Sequence, residues 1–274
     1  MCYNDMNDNV GGESMGLIFD IKEFALNDGG GIRTTVFFKG CPLRCSWCHN
    51  PEGLLPRREL TVKQNGCRHC GLCLRPCTHE DCRGLGRCLH ICPMDLVGVA
   101  GKEWEAAALA EHLLRHAEVY RETGGGVTLS GGEPLLQWEF ACELLDLLHG
   151  RTHTAIETSG FAEPQAFQAV VERCDFVFMD LKLMDRDLHR RYTGVENDRI
   201  LRNAAWLRES GKPHIFRTPL IPQITDTEEN LAAIAAFVGS DAWEQLPYNT
   251  LAPAKYASVG RTFDLYREGA NKEG

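Results

Sequence analysis

The stretch "GCPLRCSWCHNPEG", residues 40–53, carries Cys41, Cys45 and Cys48 at spacing C-x3-C-x2-C. Cysteine thiolates are the usual ligands of iron–sulfur clusters, and a four-iron cube needs one ligand per iron, so three leave one iron open. An open position marks a metal site that does chemistry, whereas a structural site is closed. A zinc site completed by His49 is the structural alternative.

Working outward, the residues before this loop, "TTVFFKG" (34–40), read as a strand: short, apolar, β-branched and aromatic. Five more such runs follow, at 126–132, 153–160, 176–182, 214–221 and 245–250. Between them helical periodicity predicts helices over 104–120, 135–150, 164–174, 200–211 and 227–239, the last preceded by Thr225 and Asp226 as candidate caps. Strands alternating with helices imply a parallel sheet, and the near-continuous apolar runs imply strands covered on both faces. Glu133, Glu157, Asp180, Arg217 and Asn249 recur near the C-terminal ends of these strands, the face on which a parallel (β/α) barrel assembles its active site.

Composition narrows the function classes. The net charge is −9 with no long basic block, which argues against a nucleic-acid backbone clamp. No apolar run is long enough to span a membrane, and the first fifteen residues lack the basic and apolar regions of a secretory signal, so a cytoplasmic protein is expected. Of thirteen cysteines, ten fall between residues 41 and 92, which points to metal rather than to disulfides. Cys142 and Cys174 read as small buried hydrophobes.

The second cysteine-rich stretch interrupts the strand–helix alternation. "CRHCGLCLRPC" (67–77) is the C-x2-C-x2-C-x3-C run of bacterial ferredoxins, and "CRGLGRCLHICP" (82–93) fits the same template except that Leu85 stands where a cysteine is expected. In two-cluster ferredoxins the fourth cysteine of each run ligates the other cluster. One cluster would then use Cys67, Cys70, Cys73 and Cys92, and the other only Cys77, Cys82 and Cys88. That incomplete set could hold a three-iron cluster, a four-iron cluster completed by His79 or water, or nothing, and a single cluster with rearranged ligands is a further alternative.

Taken with "DGGGIRTTVFFKGCPLRCSWCHNPE" (28–52), "GGGVTLSGGEPLLQ" (124–137), "ETSG" (157–160) and "MDLK" (179–182), the three-cysteine loop resembles the glycyl-radical-enzyme activating family of the radical S-adenosylmethionine (SAM) superfamily, typified by pyruvate formate-lyase activating enzyme. The likeness runs from about Leu17 to beyond Tyr248, and the cysteine-rich insert occurs in only part of that family. The resemblance implies an α/β fold, a partial parallel (β/α)6 barrel of the radical SAM type with a small ferredoxin-like iron–sulfur insert. The expected organisation is a disordered leader at 1–15, the barrel over 16–60 and 100–266, the insert at 61–99 and a flexible tail at 267–274.

The resemblance also implies roles. Cys41, Cys45 and Cys48 would hold the catalytic [4Fe-4S] cluster, whose open iron takes the amino and carboxylate groups of SAM, with Trp47 and His49 flanking it. Gly131, Gly132 and Glu133 match the segment that binds the methionine amino group. Glu157, Thr158 and Asp180 match positions that contact the cofactor or a monovalent cation, with Lys182 beside Asp180. Arg217 matches a cofactor-binding arginine, and Asn249 stands where the prototype has histidine. The "DGGG" at 28–31 replaces the usual D-G-P-G, loosening that turn.

The implied reaction is reductive cleavage of SAM to a 5'-deoxyadenosyl radical that abstracts hydrogen from a backbone glycine of a partner glycyl radical enzyme. Electrons would come from a flavodoxin- or ferredoxin-type reductant, and a monomer that binds neither nucleic acid nor membrane is expected. One or two auxiliary iron–sulfur clusters would serve as relay or scaffold. A radical enzyme acting on a small molecule, and a non-catalytic iron–sulfur electron carrier, are the alternatives.

Overall fold

The computed structural model describes residues 14–26, 29–249 and 251–265. Most of the expected leader, Asp28 of the "DGGG" turn and the expected tail lie outside the described residues. An eight-stranded sheet carries the chain, with strands β1 (Met15–Ala25), β2 (Arg33–Phe38), β5 (Lys102–Glu105), β6 (Gly126–Gly131), β7 (His153–Thr158), β8 (Phe176–Asp180), β9 (His214–Leu220) and β10 (Trp243–Pro247). Their order is β10-β9-β8-β7-β6-β2-β1-β5, and a separate two-stranded sheet pairs β3 (Glu59–Val62) with β4 (Val97–Ala100).

The six strands from β2 to β10 across the larger sheet are parallel, and all six coincide with those predicted from apolar runs. All six residues of β2 are buried, as a strand covered on both faces requires. The sheet stays open: β10 and β5 are its two edges among the described residues. β1 and β5 are antiparallel additions at one edge.

Helices α1 (Ala106–Leu114), α2 (Ala117–Thr123), α3 (Trp138–Leu148), α4 (Pro164–Arg173), α5 (Arg186–Thr193), α6 (Asp198–Glu209), α7 (Glu228–Val238) and α8 (Ala252–Ser258) follow in chain order. Leu109 and Leu113 of α1, Leu144, Leu145 and Leu148 of α3, and Phe167, Val170 and Val171 of α4 are all fully buried in one core with Val36, Leu129, Ile156 and Val177 of the sheet. Each such side chain contributes about 1.5–3 kcal/mol when withdrawn from water.

Several predicted elements change. The single helix expected over 104–120 is a strand end followed by two helices, because residues Lys102–Glu105 pair with Ile18–Met15 of β1. Helix α5 carries no apolar periodicity, since only His189 and Thr193 are buried, although Asp185 caps its start by accepting from the Leu188 N–H at 2.7 Å. The cap of α7 is Thr227, whose side chain accepts from the Asn230 N–H, rather than Thr225 or Asp226. Thr225 Oγ1 instead accepts from the Ile221 N–H at 2.6 Å and closes the loop after β9.

β3 and β4 enclose residues 63–96, so the cysteine-rich stretch leaves and rejoins the chain through a paired stem. Within it the described structure forms two short 3-10 turns, Leu72–Leu74 and Glu80–Cys82. Lys39, at the end of β2 and fully buried, anchors the stem by donating to Glu59 Oε2 at 2.7 Å and to the Glu52 carbonyl at 2.5 Å. Arg261 donates to the other oxygen of Glu59. Burial holds the Lys39 ammonium below its usual range, opposed by Glu59.

Candidate functional site

The loop after β2 is held by backbone on both sides. Gly40 N–H donates to Gly53 O at 2.8 Å and Cys41 N–H to Leu54 O at 3.1 Å. Farther along, Arg44 N–H donates to Thr193 O at 2.7 Å and Ser46 N–H to Tyr192 O at 2.9 Å, so the end of α5 supports the cysteines. Trp47 does not present an open face: it is 4% exposed and packs with Leu183, Ile221 and Ile224, wedging the loop against the strand ends. His49 sits beside Tyr248, with ring centres 6.3 Å apart, and its Nε2 is buried without a hydrogen-bond partner.

The three cysteines are half-buried. Burial pushes Cys45 up to about 12 despite the nearby Lys182 ammonium, and burial with the charges of Cys45 and Glu133 pushes Cys41 well above its usual range. Cys48 is raised, again by burial. A metal binds the thiolate, so burial that disfavours the thiolate makes metal binding here a proton-releasing step.

Opposite the loop, Lys182 Nζ donates to Asp180 Oδ2 at 2.5 Å. Burial lowers the lysine's proton affinity, but the charge and hydrogen bond of Asp180 outweigh it and keep the ammonium charged. Lys182 therefore places a positive charge among the thiols. Lys182→Met is expected to cost about 1–2 kcal/mol, less than a fully buried pair because Asp180 keeps 36% of its side chain in solvent. Urea unfolding checks this.

Glu133, at the end of β6 and 1% exposed, has both oxygens occupied by its own chain. Oε1 accepts from Thr158 Oγ1 at 2.6 Å and Leu135 N–H at 3.3 Å, and Oε2 from the N–H and hydroxyl of Ser159. Burial still raises its proton affinity, against those four donors. The carboxylate ties the end of β6 to the end of β7. Gly131, at φ 114°, and Gly132 let the same segment run against the backbone of Phe38, Gly40 and Gly53.

Glu157 and Arg217 meet in the sheet's interior. Arg217 donates to Glu157 at 2.6 Å and to Glu244 at 2.9 Å, and its guanidinium stacks 3.7 Å from the centre of the Phe178 ring. Ser130 donates to the other oxygen of Glu157 at 2.6 Å. Asp180 and Arg217 are direct neighbours across β8 and β9. Asn249 is exposed, and its side chain accepts from the Leu251 N–H at 2.9 Å, turning the chain toward α8.

The structure thus gathers Cys41, Cys45, Cys48, Glu133, Thr158, Asp180 and Lys182 around one end of the parallel strands, with Glu157 and Arg217 beneath and Asn249 at the rim. Ser130, Ser159 and Glu244 join them. The first two lie inside "SGGEP" and "ETSG" but draw attention only through their partners, and Glu244 carries no sequence signal.

In the insert, the ligand atoms of Cys77, His79, Cys82 and Cys88 lie within 4.8 Å of one another. Among the described residues, Cys67, Cys70, Cys73 and Cys92 are not drawn together so tightly.

The family model described as the Radical SAM superfamily matches residues 35–235. The choline trimethylamine-lyase activating enzyme of Oleidesulfovibrio alaskensis is 36% identical over 92% of this chain and 90% of its own length. The isethionate sulfite-lyase activating enzyme of Desulfovibrio desulfuricans is 35% identical over 99% of this chain and 93% of its own. A solved domain of a pyruvate-formate lyase-activating enzyme from Bacteroides vulgatus is 34% identical, covering 44% of this chain and 76% of its own, with a TM-score of 0.39.

Proposed function

The chain belongs to the radical SAM superfamily and, within it, to the glycyl-radical-enzyme activating enzymes, and from that premise we propose that Cys41, Cys45 and Cys48 hold the catalytic cluster of an activase. The observation that carries this reading is the set of three half-buried cysteines on one loop facing the Lys182–Asp180 pair on one end of the parallel strands. The donor set fits: three thiols on one braced loop, a compensating ammonium, and a buried His49 Nε2 and Ser46 Oγ without partners in the protein. Cys41, Cys45 and Cys48 would hold a four-iron cluster, which would supply the electron for reductive cleavage of SAM and so the hydrogen-abstracting chemistry that an activase directs at a partner's glycine.

The chain's own work is positioning. Gly131 and Gly132 let their segment lie directly against the backbone of the cysteine loop, and Glu133 holds it there through Thr158 and Ser159, which fixes the wall that the methionine end of SAM would meet. Arg217, gripped by Glu157 and Glu244, offers a fixed cation beneath the cofactor, and the second oxygen of Asp180 suits a monovalent cation. Trp47 keeps water from the back of the cysteine loop. Cys67, Cys70, Cys73 and Cys92 serve an auxiliary cluster fed by a flavodoxin- or ferredoxin-type donor. The protein works in the cytoplasm as a monomer that docks transiently on its partner.

Anaerobic incubation of the reduced protein with SAM and the glycyl radical enzyme encoded nearest to it tests the reading. Formation of 5'-deoxyadenosine together with a persistent organic doublet in electron paramagnetic resonance is expected. Cleavage without a doublet would favour a small-molecule substrate, and no cleavage would sink both readings.

A further inference from the structure

The insert holds a donor set of a different kind from the catalytic loop. Cys77, His79, Cys82 and Cys88 each offer one ligand atom, and all four atoms lie within 4.8 Å of one another. Cys88 Sγ and His79 Nδ1 are 3.6 Å apart. With Zn–S near 2.3 Å and Zn–N near 2.0–2.1 Å, the sulfur–nitrogen edge of a tetrahedral site is about 3.6 Å. A four-iron cube instead distributes its thiolates over four separate irons, which spreads the sulfurs farther than ligands sharing one ion. Consistent with that difference, Cys41, Cys45 and Cys48 do not satisfy the same tight spacing.

Sequence and surroundings point the same way. Leu85 removes the sulfur that a second ferredoxin-type run would need, and His79 brings the ligand count back to four. Cys82 and Cys88 are buried, at 6% and 3% exposure, although the insert around them is largely exposed. The Leu89 N–H donates to Cys82 Sγ at 3.3 Å, fixing the position of that sulfur. The His90 ring packs 4.5 Å from His79 and is held by Asp81 at 2.8 Å, a buttress that orients the histidine ligand.

We propose that Cys77, His79, Cys82 and Cys88 bind a single zinc ion as a closed structural site that folds the distal half of the insert, in place of a second auxiliary cluster. Four protein ligands and no open position suit a structural role, and zinc brings no redox chemistry to compete with electron delivery. The proposal stands apart from the activase reading, because metal content and coordination are measured without turnover.

The test is zinc and iron analysis of the full-length chain assembled anaerobically with both metals, with zinc-edge X-ray absorption. Roughly one zinc per chain is expected, in a shell of three sulfurs and one nitrogen. Cys82→Ser and His79→Ala should each lower zinc affinity at least tenfold without changing iron content. His79→Cys, which keeps four ligands, should retain zinc in an all-sulfur shell even if the other variants fail to fold. A folded wild-type chain without zinc, or loss of about four irons in Cys82→Ser, would overturn the proposal.

Discussion

Replacing Cys45 by alanine is expected to abolish SAM cleavage and to remove about four irons per chain after anaerobic assembly. Two sulfurs cannot hold a cube whose fourth iron is already given to the cofactor. Cys45 is also the thiol on which the Lys182 charge acts most directly among the three cysteines of the loop. The fold should survive, because the loop's hold on α5 runs through the backbone of Arg44 and Ser46 and not through the sulfur. Iron analysis, product quantitation and circular dichroism on the same sample check all three parts. Retained cleavage would remove Cys45 from the ligand set.

Gly132→Ala is expected to disrupt the site from outside its ligands. A Cβ at this position would stand 2.3 Å from Gly40 O and 2.5 Å from Gly53 O, both backbone atoms. Neither can turn away, since Gly53 O accepts from Gly40 N–H and Gly40 O from Glu133 N–H, each at 2.8 Å. Overpacking of this kind costs about 1–3 kcal/mol. For a chain of this size that lowers Tm by roughly 2–4 °C per kcal/mol. The displaced backbone carries Cys41, so assembled iron should fall as well. Gly30→Ala, where a Cβ meets nothing within 4 Å, is the matched control and should leave both unchanged. An unaltered Tm and iron content in Gly132→Ala would show that the two loops are not rigidly coupled.

The six parallel strands were legible because a strand buried on both faces needs a short apolar run, and that requirement is local. Strands β1 and β5 were not, since their reason for being strands is each other: Trp104 and Glu105 read as a helix start until Gly16 and Met15 pair with them. α5 was hidden for the opposite reason, a helix whose outward face is charged and whose buried face holds only His189 and Thr193.

The sequence by itself determined the donor chemistry: the C-x3-C-x2-C loop, the ferredoxin-type run and the Leu85 gap are spacings along one strand of chain, which need no fold to be read. Only the tertiary structure decided what the polar residues do with one another. Glu133 spends its carboxylate on Thr158 and Ser159, Arg217 is gripped by Glu157 and Glu244, and Trp47 turns into the core. His79 likewise joins Cys77, Cys82 and Cys88, their ligand atoms within 4.8 Å of one another. The physical reason is common to all of them: a buried polar group must find its partner, and that partner stands on another element, brought there by the pairing of the sheet and the closure of the loops.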